Sequence, residues 1–226
     1  GRAPEALRTA VIDAQLDAAE SLCRQQQYDV AVRICESLST ADAPHVRAAA
    51  LRGIMAAKPA ESLELVLAGL AAEEAWKRAV AADYIHEMRA PEQIGVIAAA
   101  IARLPAAGQI AALDSLKNRC DPSVRTAALQ AVDSSDSAVR VAALRALVAS
   151  AEADDVSKLV GLAATDPDAA VSAAAFDTVR LMPITGTNEA LLSLMSQDTP
   201  VQPVAVRCAL ARRAPVFAPR FVQLCT

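Results

Sequence analysis

Aromatic residues are scarce. Phe, Tyr and Trp make up 3% of 226 residues, and Trp76 is the one tryptophan. A rounded core of ordinary depth draws much of its bulk from such rings, so this interior must be filled another way. Glycine is also sparse, with seven scattered residues and neither a Gly-rich phosphate loop nor a Gly-x-Ser-x-Gly elbow. The two histidines are His45 and His86. His86-Glu87 begins like a zinc-protease helix, but Ala90 stands where the second ligand belongs. No catalytic residue, metal ligand or cofactor site is therefore expected, and the chain does not read as an enzyme.

The cysteines number five (Cys23, Cys35, Cys120, Cys208 and Cys225), with no Cys-x-x-Cys among them. That excludes a zinc ribbon and a dithiol redox motif. If Cys23 and Cys35 flank a turn near Gln27, a rise of ~1.5 Å per residue staggers them by roughly 6 Å along the helix axes. A disulfide fits that poorly, so free and mostly buried thiols are expected. The best apolar stretch, residues 95–102, stops at Arg103, short of the roughly 20 residues that span a bilayer. No membrane insertion is expected. No basic run occurs, and the net charge is -4 with a pI of about 5.3. Binding to a phosphate backbone rests on Lys and Arg, so no nucleic-acid partner is expected, although one face could still be locally positive. No secretory signal opens the chain. Gly1 has the look of a residue left by N-terminal cleavage, which leaves the compartment unreadable.

What the chain has in abundance is alanine, roughly a quarter of its residues and the strongest helix former. It also repeats itself. His-Val-Arg-Ala-Ala-Ala-Leu-Arg at 45–52 is echoed by Ser-Val-Arg-Thr-Ala-Ala-Leu-Gln at 123–130 and by Ala-Val-Arg-Val-Ala-Ala-Leu-Arg at 138–145. A looser copy at 170–177 follows the third by 32 residues, and Val204-Ala205-Val206-Arg207 lies in the corresponding place about one period further on. Such a period suits two helices and two turns. Within 137–149, Val139, Ala142, Ala143, Ala146 and Leu147 form one helical stripe and Val141, Leu144 and Val148 a second. A helix apolar on two sides must be sandwiched. Asp121-Pro122 and Asp166-Pro167 place a capping side chain before a first-turn proline. The pattern predicts helices over 5–25, 28–39, 43–57, 61–72, 74–88, 91–103, 107–118, 122–132, 137–149, 155–165, 168–181, 187–197 and 201–212, with no strands.

The string Asp-x-x-Val-Arg-x-Ala-Ala-Leu at 136–144 resembles the second helix of HEAT repeats, including the Ala-rich bacterial type related to phycobilisome-lyase repeats. In the first hairpin, Ala18-Ala19-Glu20-Ser21-Leu22, Tyr28-Asp29-Val30-Ala31 and Ile34-Cys35-Glu36-Ser37-Leu38 resemble a tetratricopeptide unit, with Gln27 where a small residue is usual. The resemblance implies an all-α, right-handed α-solenoid (an armadillo-like α–α superhelix) of about six antiparallel hairpins. Its expected divisions are a tetratricopeptide-like hairpin over 1–40, HEAT-like repeats over 41–212, and a tail over 213–226 that starts a further repeat or a linker. It implies a scaffold that binds an unidentified protein or peptide along a concave surface. The alternatives are a HEAT-like bilin lyase binding a tetrapyrrole through Asp83 and Asp177, and a spacer with no ligand of its own. DNA glycosylases of HEAT-like fold are a poor match, because this chain has one Trp and no basic run. The apolar tail residues Val216, Phe217, Phe221, Val222, Leu224 and Cys225 suggest an array cut from a larger bacterial protein, with association through that end.

Two sets of polar residues stand out. Glu74, Asp121 and Asp136 each lie four residues before an arginine: Arg78, Arg125 and Arg140. That spacing predicts a structural ladder of acid–arginine pairs, interrupted where Ser172 replaces arginine. Five residues beyond the arginine position lie Arg52, Asp83, Gln130, Arg145 and Asp177, whose charge changes from copy to copy. If second helices line the inner surface, these five form the candidate partner-binding face. Trp76 falls near the place of Val46 and Val139, which predicts a core filler.

Overall fold

The computed structural model describes residues 4–183 and 185–224; Gly1 and Cys225 lie outside them. Among the described residues all regular structure is helical, and contacts divide the chain into two compact units between Ala100 and Ile101. The first holds α1 (Glu5–Arg24), α2 (Tyr28–Leu38), α3 (Pro44–Ala57), α4 (Ser62–Ala71), α5 (Ala75–Tyr84) and α6 (Pro91–Ala100). The second holds α7 (Ala106–Leu116), α8 (Pro122–Ala131), α9 (Ser137–Ser150), α10 (Val156–Thr165), α11 (Ala169–Leu181), α12 (Thr187–Met195), α13 (Gln202–Arg212) and α14 (Ala218–Leu224). The predicted helices are present, and the fold is all-α and of the α-solenoid type. The ends of the helices predicted over 74–88 and 91–103 tighten into 3-10 turns at Ile85–Glu87 and Ile101–Arg103.

Each unit is built from stacked antiparallel hairpins. In the first, α2 packs on α3 and α4 on α5, while α1, α3 and α5 pack in succession. In the second, α8 pairs with α9, α10 with α11 and α12 with α13; α7, α9, α11 and α13 follow one another in one layer, and α10 packs on α12 in the other. The boundary expected near residue 40 lies inside the first unit, where α2 and α3 are hairpin partners.

The interior is alanine-rich because the helices approach closely. In α9, Val139, Ala142, Ala143, Ala146 and Leu147 are all buried, so the first predicted stripe is covered; in the second, Leu144 is buried and Val141 and Val148 are half-buried. Gly69 marks one close approach of α4 to α5: a Cβ there would sit 2.7 Å from that of Ala81. Burial of so many small side chains stabilises by area rather than by rings, at about 25 cal/mol per Å².

Helix starts follow the sequence, with one correction. Asp121 caps α8 by accepting from the Ser123 N–H at 2.8 Å, with Pro122 in the first turn. Asp136 caps α9 through the N–H groups of Ala138 and Val139. At α11, however, the cap is Asp168, which accepts from the Ala170 N–H. Asp166 lies outside the helix and accepts from the Asp168 N–H. The tail folds as well. A 3-10 turn at Pro215–Phe217 leads into α14, Phe217 is fully buried, and the Arg220 guanidinium donates to the Met195 carbonyl at 2.8 Å.

Candidate functional site

The helix-start arginines come first because they fix the hairpin geometry. Arg47 donates to the carbonyls of Ala41 and Asp42 at 2.7 and 2.9 Å. Arg78 does the same to Ala72 and Glu73 at 2.7 and 2.6 Å, and Arg140 to Ser134 and Ser135 at 3.0 and 3.4 Å. Each arginine thus reaches back to residues five and six before it, in the linker between the two helices of its hairpin. Charged donors to carbonyls make strong hydrogen bonds, and the linker carbonyls would otherwise lack partners.

The acid–arginine ladder therefore differs from its expected form. The acids four residues earlier serve elsewhere. Asp121 and Asp136 cap their own helices, and Glu74 pairs with Lys77 at 2.6 Å. The arginines of the second unit reach acids in the next hairpin. Arg125 makes a bidentate pair with Asp155 at 2.8 and 2.9 Å and a contact with Glu152 at 3.2 Å; Arg140 pairs with Asp166 at 3.1 Å. The reason is local competition: an acid at the N-cap is held by free backbone N–H groups and cannot also turn to the next helical turn. Capping shifts these carboxyls too. The Ser123 hydroxyl and backbone hold Asp121 below the usual carboxylate range, and the Ser137 hydroxyl with the Ala170 N–H does so for Asp168. At Ser172 the arginine clip gives way to a hydroxyl donating to the Ala163 carbonyl at 2.6 Å.

Sequence reasoning missed a second kind of clip. Arg212 donates to the carbonyls of Val179, Arg180, Met182 and Pro183 and to the Asn188 side chain, closing the C-terminus of α11. Burial pushes its guanidinium pKa down. The available signal was an arginine at a helix end, but its carbonyl partners lie 29 to 33 residues away.

The five variable positions are all exposed. In the first unit, Arg52 on α3 meets Asp83 on α5 at 3.8 Å and also binds Glu87. In the second, Arg145 lies on α9 and Asp177 on α11, where Asp177 pairs with Arg180 at 3.0 Å. Gln130 does not belong with them. It lies on α8, the first helix of its hairpin, beside Asp133, which pairs with Lys158 of α10. The two copies at 123–130 and 138–145 are only 15 residues apart, so they form the two arms of one hairpin and face different ways.

Trp76 is also relocated. Aligning Arg78 with Arg47 puts Lys77 at the place of Val46 and Trp76 at that of His45. The ring is half-buried, with the Arg47 guanidinium 5.7 Å and the Lys77 ammonium 5.6 Å from its centre. Its contact is cation–π, not core filling.

His45 and His86 are exposed. Among the described residues no group of three His, Cys, Asp and Glu side chains could hold a metal, and no helix is long and apolar enough to cross a membrane. Cys23, Cys35, Cys120 and Cys208 are free thiols; Cys35 and Cys208 are buried and Cys120 is exposed. Burial pushes the Cys208 thiol up to about 12.

These features define a helical repeat scaffold, a class that typically serves protein interaction. Residues 95–180 match a family model described as HEAT repeats, which supports a HEAT-repeat protein. No curated protein matches the chain.

Proposed function

We propose that the chain is a protein-binding scaffold that meets its partner along the exposed stripes of the second helices, α3 and α5 in one unit and α9 and α11 in the other. One observation carries this reading. Arg52 and Asp83, and likewise Arg145 and Asp177, occupy equivalent exposed positions of neighbouring helices, differ in charge, and rest on hairpins held by Arg47, Arg78 and Arg140 or, beside Asp177, by the Ser172 hydroxyl. A fixed frame with variable exposed side chains lets a binding surface be specified without ordering cost at the moment of association. Gln130, on the opposite layer, is left out of this surface.

The test is affinity capture from lysate of the source organism with wild type and with the Arg52→Glu/Arg145→Glu variant. The reading expects a protein held by wild type and released by the variant, with both chains equally helical and equally stable. If both retain the same proteins, or neither retains any, the second-helix surface is not the binding face. The chain would then act as a spacer.

A further inference from the structure

We infer that the hollow between α11 and α13 binds an acidic peptide segment carrying a leucine-like side chain. This names a partner chemistry for part of the surface proposed above and rests on that reading.

The argument starts from a register change. In α9 the buried residues begin with Val139, Ala142 and Ala143, and in α13 they are Ala205, Cys208 and Ala209, with the same spacing. Val206 therefore stands at the place of Arg140, and Arg207 at that of Val141. A Val-Arg pair in the register of Val139-Arg140 would have put Arg207 at the clip position, one residue away. This shift takes an arginine out of the clip position and sets it on the exposed stripe. Its guanidinium lies 5.4 Å from the centre of the Phe176 ring.

Phe176 on α11 is the 32-residue equivalent of Leu144 on α9. Leu144 is fully buried, because α11 packs closely on α9. Phe176 is only half-buried, because α13 packs less closely on α11. The result is a shallow hollow lined by Phe176, Arg180, Arg207, Leu210, Ala211 and Arg213. Leu210 is 56% exposed beside it.

Charge decides the occupant. Three arginines line the hollow, and the exposed Arg145 adds a fourth on the adjoining helix α9. The acid on this stripe is Asp177, already paired with Arg180. Among the described residues no carboxylate pairs with Arg207 or Arg213. In a chain of net charge -4, that is a local reversal of sign. Arg213 also holds a left-handed backbone conformation, φ 53°, at the end of α13. Glycine is the usual residue there, so arginine carries a backbone cost at this position. An arginine rim with an apolar floor fits carboxylates flanking an aliphatic side chain: the rim pairs the acids and the floor covers the chain.

The test uses fluorescence anisotropy of the whole chain with a labelled peptide of alternating glutamate and leucine, its glutamine-for-glutamate counterpart, and a labelled oligothymidine. The inference expects binding of the acidic peptide, weakened roughly tenfold or more in Arg207→Glu/Arg213→Glu and about fivefold in Phe176→Ala. Binding of the glutamine peptide and of oligothymidine should be weaker than that of the acidic peptide. Circular dichroism and melting of the variants should match wild type. Failure of the acidic peptide to bind overturns the inference. So does equal binding of oligothymidine, which would mark a surface that reads negative charge alone, and so does loss in Phe176→Ala only. If the peptide fails while capture still depends on Arg52 and Arg145, this site falls and the scaffold reading stands.

Discussion

In the first unit, Arg47 and Arg78 hydrogen-bond to carbonyls of their own linkers, and Arg47 also lies over the Trp76 ring, whereas in the second Arg125 and Arg140 extend to carboxylates of the next hairpin. The exposed surfaces differ in sign as well. Around Arg52 lie Asp17, Glu20, Asp83 and Glu87, while between α11 and α13 lie Arg180, Arg207 and Arg213. The same signature arginine thus holds its own linker in one unit and reaches a carboxylate of the next hairpin in the other; between the first unit's hairpins the ion pairs come from Arg52, with Asp83 and Glu87. What differs is the acid that the following hairpin offers, Asp155 just before its first helix and Asp166 in the linker between its two helices. Asp155 and Asp166, with side chains 7% and 6% exposed, are placed to receive an arginine.

The sharpest way to break this contrast is at Asp155, which takes the bidentate Arg125 pair and also accepts from the Glu152 N–H. Asp155→Ala should cost about 3 kcal/mol, because it strands a partly buried guanidinium and removes a cap; chemical denaturation measures it. Arg140→Ala should cost about 2 kcal/mol, from one ion pair and two carbonyl bonds. Arg47→Ala, which removes two carbonyl bonds and the contact with the Trp76 ring but no ion pair, should cost about 1 kcal/mol. Equal losses for Arg47→Ala and Arg140→Ala would erase the distinction between the units. Arg52→Ala should change stability by less than about 0.5 kcal/mol, because both its carboxylate partners are exposed.

Acid titration sharpens the comparison at smaller scale. The folded pKa of Asp121 lies below its unfolded value. Its contribution is therefore present above the ordinary carboxylate pKa of about 3.9 and is lost as pH falls through the lower folded value. Stability measured from neutral pH downward should fall less steeply in Asp121→Asn than in wild type, starting from a lower plateau. Thiol labelling checks the packing directly. Among the four cysteines of the described residues, Cys120 should react first at mildly alkaline pH, and Cys208 should stay unmodified until the chain unfolds.

Much of this was legible in the sequence. Helix periodicity is local, so the stack of helices and the cap at Asp121 could be read from neighbours in the chain, whereas Asp136 was read as a partner of Arg140 and the cap read at Asp166 belongs to Asp168. The failures share a cause. Pairing Asp121 with Arg125 was reasonable for an isolated helix, but the N-cap and the distant Asp155 compete for those groups. Gln130 was misplaced because a hairpin whose two arms resemble each other looks like two repeats. Trp76 and Arg207 were each set one residue off, since alanine-rich segments align almost equally well in adjacent registers. Arg212 gave no local sign of its carbonyl partners.

The central claim is that partners meet the second helices. Hydroxyl-radical footprinting of the wild-type chain, alone and with a captured partner, tests it most directly. The account predicts protection centred on the exposed residues of α3 and α5 or of α9, α11 and α13, with the first-helix layer unchanged. Protection confined to α2, α4, α8, α10 and α12 would contradict it.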